Sequence, residues 1–111
     1  MAYVDGIVIP IPKKNLRKYR VIARKAGKVW MEYGALEYRE CIGDDLKVKG
    51  ITSFERLTRV KKGETVLFSW ILYRTKTHRN IVNAKVMMDP AKSPIDTRRM
   101  AYGGYRSIVE L

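Results

Sequence analysis

Apolar side chains recur every three or four residues between Lys13 and Tyr33, which is the spacing of an amphipathic α-helix. At roughly 100° per residue, these side chains share one arc of about 140°. The apolar arc consists of Leu16, Tyr19, Ile22, Ala23, Ala26, Val29, Trp30 and Tyr33. Pro12 favours the start of the helix and Gly34 its end. The pattern therefore predicts a helix that lies on a sheet.

The opposite side of the predicted helix is basic. Its charged residues, which we call the basic arc, are Lys13, Lys14, Arg17, Lys18, Arg20, Arg24, Lys25 and Lys28. Val21 is the apolar exception on this side, and no acidic residue precedes Glu32 in the helix. The basic arc is therefore expected to face either water or an anionic partner.

Four further segments have the composition or the alternation of β-strands. They are Tyr3–Ile11, Ala35–Ile42, Glu64–Tyr73 and Ala101–Glu110. In the first strand, Gly6 predicts a bulge or a close backbone approach. In the last strand, the Gly103–Gly104 pair predicts a bulge.

The strand Glu64–Tyr73 is apolar on both of its faces. Val66, Phe68, Trp70 and Leu72 lie on one side, and Leu67, Ile71 and Tyr73 lie on the other with a single polar residue, Ser69. A strand of this kind needs a layer over each side. The helices of so short a chain supply only one of these layers.

A second, less strongly amphipathic helix is predicted over Lys76–Met88, with Thr75 or Thr77 as its N-cap and Asp89–Pro90 at its end. The region Leu46–Lys62 is the least regular. A short extended piece is expected there, around Ile51–Phe54 or Leu57–Val60. Ala91–Arg99 is predicted to be a loop.

The resulting order is strand, helix, strand, strand, helix, strand, which is the split βαβ arrangement of ferredoxin-like folds. We therefore predict one α+β domain over residues 1–111, with a four-stranded antiparallel sheet and two helices on one face. The other face would be bare and apolar, and such a face usually has a partner. The simplest partner is a second copy packed sheet to sheet, so we expect a homodimer through the open sheet face.

Lysine and arginine outnumber the acidic residues by 23 to 11, which gives a formal net charge of +12. This charge attracts polyanions but does not by itself define a site. An alternative function is therefore weak nucleic-acid binding through the basic face of the first helix. The residues of that face are Lys14, Arg17, Lys18, Arg24, Lys25 and Lys28. The aromatic signature of RNA-recognition motifs is missing, which counts against this alternative.

Cys41 is the single cysteine, so a disulfide within the chain is excluded and a cytoplasmic location is expected. Residues 1–11 lack the basic start of a signal peptide and include Asp5. No apolar run approaches the roughly 20 residues that a spanning helix needs. We expect no membrane association.

The candidate catalytic residues are Asp5, Glu40, Cys41 and His78. His78, the only histidine, is either a surface residue or a general base. Cys41 is either a small buried residue or a thiolate activated by Arg39. No metal site and no cofactor are expected, because metal-ligand spacings and nucleotide-binding motifs are absent from the sequence.

Asp5 stands in an otherwise apolar strand, where a buried carboxylate must be paired or perturbed. The pairing alternatives are Arg98, Arg99 and Arg106, and catalysis is the other interpretation. The aromatic residues Phe68, Trp70 and Tyr102 are candidates for lining a pocket, although core packing explains the same residues.

Five stretches of the chain together resemble the YbaA-like family of small bacterial proteins. They are YVDGIVIPIPKKNLRKYR, AGKVWMEYGALEYREC, GETVLFSWILY, NAKVMMDP and RRMAYGGYRSIVEL. The resemblance implies a homodimeric ferredoxin-like domain of the dimeric α/β-barrel superfamily, which includes cofactor-free monooxygenases, dehydratase-like enzymes and stress-response proteins. It carries over no activity. The segment Ser93–Met100 departs from the family pattern, which implies a more open or differently shaped pocket.

The leading hypothesis is a homodimer with a small-molecule pocket between the sheet and the helices. Whether the protein is an enzyme is left open; an enzyme of this kind would use cofactor-free acid–base chemistry on a small organic molecule. The alternatives are the polyanion-binding module described above and a structural or stress-related interaction protein without a ligand.

Overall fold

The computed structural model describes residues 1–91 and 97–111, and within them it shows the predicted βαββαβ order. The strands are β1 (Tyr3–Pro12), β2 (Glu37–Ile42), β3 (Glu64–Tyr73) and β4 (Ala101–Arg106). The helices are α1 (Leu16–Glu32), α2 (Phe54–Leu57) and α3 (Lys76–Met88). The strands form one antiparallel sheet in the order β2-β3-β1-β4. The predicted α+β, ferredoxin-like class is confirmed.

The centre of the sheet is the long pairing of β1 with β3, which runs without interruption from Tyr3 opposite Tyr73 to Pro12 opposite Glu64. Alternate residues of β3 point to opposite sides. Leu67, Ile71 and Tyr73 are buried on one side, whereas Phe68 on the other side remains 43% exposed. The prediction of a strand that is apolar on both faces is confirmed.

Helices α1 and α3 cover the first side of the sheet, which we call the helix-facing side. Val29 of α1 packs with Val82 and Val86 of α3 in one apolar cluster, together with Ile71 and Tyr73. Every member of the apolar arc is buried or half-buried, as predicted. Gly27 is also buried, and a Cβ atom at this position would lie 2.6 Å from the ring of Tyr38. Glycine therefore lets α1 approach β2 closely.

The predicted elements differ from the structure in several places, and β2 begins at Glu37, two residues after the predicted Ala35. The predicted first helix begins with a 3-10 turn over Lys13–Asn15, and its α-helical part starts at Leu16. The extended piece predicted within 51–60 is wrong, since Phe54–Leu57 forms one helical turn. Its cap explains the change, because the Ser53 hydroxyl accepts a hydrogen bond from the Arg56 N–H at 3.1 Å. Strand β4 ends at Arg106, short of the predicted Glu110.

The bulge predicted at Gly103–Gly104 is also wrong. The pairing of β1 with β4 is continuous, with Asp5 opposite Gly104 and Gly6 opposite Gly103. The glycines instead make room for tyrosine side chains. A Cβ atom on Gly104 would lie 2.3 Å from the Tyr3 hydroxyl oxygen, and one on Gly6 would lie 3.3 Å from the Tyr105 ring. The bulge predicted as one alternative for Gly6 is absent, and the group that approaches Gly6 closely is the Tyr105 side chain instead of the predicted backbone.

Two further predictions concern the N-cap of α3 and the loop that follows this helix. Thr75 caps α3, because its hydroxyl accepts a hydrogen bond from the His78 N–H at 3.0 Å. The loop predicted over Ala91–Arg99 and the departing segment Ser93–Met100 lie partly outside the described residues. Across residues 1–91 and 97–111, none of the helices has the length and apolar character needed to cross a lipid bilayer.

Candidate functional site

Asp5 lies on the helix-facing side of β1 and is only 1% exposed. Its Oδ1 atom accepts a hydrogen bond from Nη1 of Arg79 at 2.9 Å, and its Oδ2 atom faces Nδ2 of Asn83 at 3.4 Å. Both partners belong to α3, where a spacing of four residues places them on the same face. The pairing predicted with Arg98, Arg99 or Arg106 is wrong, because α3 brings Arg79 over β1 while Arg99 pairs with Glu64 at 2.7 Å.

Aromatic side chains complete this network around the ion pair. The Arg79 guanidinium donates hydrogen bonds to the hydroxyl oxygens of Tyr102 at 2.7 Å and of Tyr3 at 3.3 Å. Oδ1 of Asn83 accepts hydrogen bonds from the Trp30 indole and the Tyr73 hydroxyl, each at 3.1 Å. Every buried side-chain polar atom of the described residues has a partner. This saturation is typical of a network that holds α3 to the sheet.

The electrostatics of the network keep its tyrosines neutral. Burial, together with the negative charge of Asp5, raises the pKa of Tyr73 and of Tyr102. Burial opposes the charge of Arg79, but Asp5 and the neighbouring tyrosines outweigh it, and the pKa of Arg79 is raised. At neutral pH the guanidinium is therefore charged and the two hydroxyls remain protonated.

Glu40 lies on the helix-facing side of β2. Its hydrogen-bond partners are hydroxyl groups, whereas those of Asp5 are a guanidinium and an amide. Its Oε1 atom accepts hydrogen bonds from the hydroxyls of Tyr19 and, at 3.1 Å, of Ser69. Its Oε2 atom accepts one from Tyr38 at 2.6 Å. Burial and the bond to Glu40 raise the pKa of both tyrosines. No cation stands among these hydrogen-bond partners, so the carboxylate is held by neutral hydroxyls.

A groove of about 790 Å³ runs between α1 and β2 above this carboxylate. We call it the α1–β2 groove. Leu16, Ala23, Ile42 and Leu67 form apolar parts of its lining, and Glu40 with Tyr19 and Tyr38 forms a polar part. Arg17, Arg20 and Arg24 line it from the helix. The groove lies between sheet and helix, but the predicted pocket residues Phe68, Trp70 and Tyr102 do not line it. That a small molecule binds between the sheet and the helices remains a prediction.

The other side of the sheet, which we call the open face, carries a larger concave space of about 1060 Å³. The rings of Phe54, Phe68 and Trp70 form an edge-to-face series, with centroids 5.9 and 5.8 Å apart. The guanidinium of Arg39 lies 5.8 Å from the centre of the Trp70 ring. Leu57 and Tyr105 also line this space and are 68% and 65% exposed. Arg59, Lys61, Arg98 and Arg99 also line the space. The open face is therefore mainly apolar and aromatic, with a basic part, and is accessible.

The predicted site residues do not meet in one cleft. Asp5 and Tyr102 come together through Arg79, whereas Glu40 lies across β3, opposite Ser69. Phe68, Trp70 and Cys41 belong to the open face, because their register positions alternate with the helix-facing ones. Phe68, Trp70 and Tyr102 do line the same concave space, although the Tyr102 hydroxyl reaches Arg79.

His78 occupies the first turn of α3, away from the carboxylates described above. Its Nδ1 atom accepts a hydrogen bond from the Arg74 N–H at 3.0 Å, and its ring packs edge-on against Tyr73 at 5.8 Å. Within the described part of the chain, there is no group of three histidine, cysteine, aspartate or glutamate side chains that could hold a metal ion. A catalytic role for any of the four candidates remains a prediction.

Sequence reasoning missed the residues that organise both carboxylates. Arg79 and Asn83 are four residues apart and lie beside Val82 and Val86, the buried residues of α3, which is a weak signal for a shared buried partner. Tyr19 belongs to the predicted apolar arc, and its bond to Glu40, 21 residues away, leaves no local pattern in the sequence. Tyr38 is two residues from Glu40, so both side chains lie on one side of the strand, and this spacing is the signal that could have found their contact.

The basic arc is exposed along α1. Lys14, Arg17, Lys18, Arg24, Lys25 and Lys28 are all exposed. Within the described residues, none of these side chains has a hydrogen-bond or ion-pair partner. Nucleic-acid binding through this surface remains a prediction.

Comparison with known proteins gives a match to one family over nearly the whole chain. Residues 2–104 match the family model described as "Protein of unknown function (DUF1428)". The chain is 38% identical over 116 aligned residues to the uncharacterized protein YbaA of Escherichia coli strain K12, with 99% of each chain covered. YbaA of Shigella flexneri matches equally. The predicted resemblance to the YbaA-like family is confirmed, and no activity is established for the family or for these relatives.

One solved structure, the de novo designed protein Foldit4, aligns with a TM-score of 0.49 at 8% identity. The alignment covers 96% of this chain and 99% of the designed chain.

The first prediction concerns the buried ion pair. Replacing Arg79 with Met should lower the free energy of unfolding by about 3–5 kcal/mol, because Asp5 is left charged and unpaired in the interior. Urea unfolding followed by circular dichroism measures this loss. The double variant Asp5→Asn/Arg79→Met should lose less, since no buried charge remains. Arg74→Met, at an exposed position beside α3, is the control and should change stability by less than about 0.5 kcal/mol. Equal losses in Arg79→Met and Arg74→Met would contradict the assignment.

The second prediction concerns the tyrosine hydroxyls. The pKa values of Tyr19, Tyr33, Tyr38, Tyr73 and Tyr102 are raised in the folded protein, through burial in four cases and a hydrogen bond to Asp89 in the case of Tyr33. The unfolded chain ionises its tyrosines near pH 10. Their contribution to stability is therefore complete below about pH 10 and is lost as the pH rises through the folded values.

Ultraviolet absorbance of tyrosinate measures this titration. The native curve should lie at higher pH than the curve of the urea-unfolded chain. The variant Tyr38→Phe should show a shallower loss of stability above about pH 10. Coincident native and unfolded curves would show that the hydroxyls are not held by the carboxylates.

Proposed function

We propose, on the premise that the chain belongs to the DUF1428 family of proteins of unknown function, that it is a homodimer whose facing sheets enclose a binding pocket for a small organic molecule. One observation carries the proposal: the open face is mainly apolar and aromatic, and it is concave around a strand whose other side is fully covered. The reducing cytoplasm is the proposed compartment, which the single cysteine supports.

A second copy of the chain suits this surface for geometric reasons. In a two-fold dimer the same patch meets itself, so each protruding side chain needs a recess on the same face. Leu57 and Tyr105 are strongly exposed beside the concave space, and Phe68 and Trp70 lie within it. Sheet-to-sheet packing would bury the second side of β3, which the helices leave uncovered.

The chemistry of the concave space favours binding over catalysis. A volume of about 1060 Å³ is comparable to that of pockets for small organic ligands. Among its described lining residues there is no carboxylate, thiol or imidazole. The aromatic rings of Phe54, Phe68 and Trp70 can stack on a ligand with an apolar or aromatic body. The proposed ligand is therefore an aromatic or apolar organic molecule.

The third prediction tests the dimer. The wild-type protein should have twice the 12.9 kDa mass of the chain in size-exclusion chromatography with light scattering. Phe68→Lys and, separately, Tyr105→Lys should elute as folded monomers, because each would bury an unpaired ammonium group in an apolar interface. Val21→Lys is the matched control, since Val21 is 55% exposed on α1 and should leave the dimer intact. A wild-type monomer would overturn the proposed dimer.

The fourth prediction tests the pocket by NMR, using benzoate as the probe. The chain has two tryptophans, and their indole N–H signals report on opposite sides of the sheet. The Trp70 signal should shift as benzoate is added, because its ring lines the concave space. The Trp30 signal is an internal control, since that indole is bonded to Asn83 on the helix-facing side. Equal shifts of both signals, or none, would contradict a pocket on the open face.

A further inference from the structure

Three arginines of α1 form a stripe along the α1–β2 groove. Arg17, Arg20 and Arg24 are separated by three and four residues, so they lie on one side of the helix. All three line the groove and are exposed. Within the described residues, none of them makes a hydrogen bond or an ion pair. Three guanidinium groups therefore border one groove without an ion-pair partner, and the one carboxylate among its described lining residues, Glu40, is bonded to hydroxyl groups instead.

Such a stripe works against the stability of its own helix. Like charges at these spacings repel, and the first turn of α1 contains no acidic residue to offset them. A local arrangement that costs stability without compensation within the fold is most often found at functional positions. Arginine is also the side chain suited to binding a phosphate through two parallel hydrogen bonds. The stripe therefore points to an anionic ligand.

Glu40 adds a second, different group to the same groove. A carboxylate has about four lone-pair sites for hydrogen bonds. Tyr19 and Ser69 occupy two sites on Oε1, and Tyr38 occupies one on Oε2. One acceptor site on Oε2 is left for a donor outside this set. A ligand that brings a hydroxyl group along with its anion can satisfy Glu40 and the arginines together.

We propose that the α1–β2 groove is a binding site for a small organic phosphate that carries hydroxyl groups. Arg17, Arg20 and Arg24 bind the phosphate, and Glu40 accepts a hydrogen bond from a hydroxyl of the same molecule. The volume of about 790 Å³ fits a ligand of this size. The site lies on the helix-facing side of the sheet, so it is independent of the dimer and of the pocket on the open face.

The remaining part of the basic arc distinguishes this site from general attraction to polyanions. Lys14, Lys18 and Lys25 lie on the far side of the arc and do not line the groove. Lys18 and Lys25 belong to the same helix and Lys14 to the turn before it, and together they carry the same total charge as the three arginines. A ligand held only by the net charge of +12 would respond equally to the loss of either set.

The fifth prediction uses glucose 6-phosphate as the probe in isothermal titration calorimetry. The variant Arg17→Gln/Arg20→Gln/Arg24→Gln should bind it at least about tenfold more weakly than wild type, because charge-assisted hydrogen bonds are lost. The matched variant Lys14→Gln/Lys18→Gln/Lys25→Gln should change the affinity by no more than about threefold at physiological salt, where exposed charges are screened. Glucose alone should not bind detectably. Urea unfolding confirms that both variants are folded.

The contribution of Glu40 is tested separately. Glu40→Gln should weaken the binding of glucose 6-phosphate but not that of inorganic phosphate, because only the sugar supplies an alcohol hydroxyl that reaches Glu40 while its phosphate is held by the arginines. Equal losses in the arginine and lysine variants, or RNA binding that displaces glucose 6-phosphate and depends on the lysines, would overturn the site in favour of general polyanion attraction. Unchanged affinity in the arginine variant would overturn it outright.

Discussion

Strand β3 lies in the interior of the sheet and is apolar on both faces, and this determines where the helices can pack. Strand β3 is paired over its whole length with β1, and shorter strands lie at the two edges of the sheet. Both long helices lie on the side of Leu67, Ile71 and Tyr73, where α1 covers Leu67 and α1 and α3 together cover Ile71 and Tyr73. Neither long helix is then left for Phe68 and Trp70, and of the described helices only the single turn of α2 contacts this side, through the ring of Phe54 against Phe68. The accessible apolar surface is thus a consequence of the topology itself.

The two carboxylates on the helix-facing side are stabilised in different ways. Asp5 is almost fully buried and takes a guanidinium and an amide from α3, so its charge is neutralised locally. Glu40 lies nearer the edge and accepts three hydroxyl hydrogen bonds, which satisfy its oxygens without neutralising its charge. The nearby arginines of α1 are therefore not consumed by the fold. Because hydroxyl groups satisfy Glu40, the arginines of α1 remain available for a different partner.

The elements that were predicted correctly are those whose apolar residues recur at a clear helix or strand spacing. The arc of α1 and the two-faced composition of β3 follow from residues close together in sequence, as does the Thr75 cap. The burial of Asp5 also followed from its apolar neighbours. Fold class and the existence of an open face were thus predictable from the sequence.

Features that depend on distant residues were not predictable in this way. The partner of Asp5 is 74 residues away, and each of several arginines satisfied the same local criterion. Gly104 suggested a bulge because a sequence does not reveal that the Tyr3 side chain will lie over it. The helical turn at Phe54–Leu57 is too short to show a period, and a single serine hydroxyl starts it. Each candidate residue could be chosen from its own neighbours in the sequence. The side of the sheet that each one occupies could be known only from the register of the strands.

The chemical identity of the charges on α1 is more informative than their number. A lysine ammonium is compact and strongly hydrated, and exposed lysines mainly contribute solubility and weak long-range attraction. A guanidinium binds an oxyanion with directional hydrogen bonds and loses hydration more easily. The basic residues of α1 that line the groove are all arginines, whereas Lys18 and Lys25 of the helix and Lys14 of the turn before it stand outside the groove. A surface selected only for basicity has no reason to separate the two residue types across one helix, and a groove that binds a particular anion does.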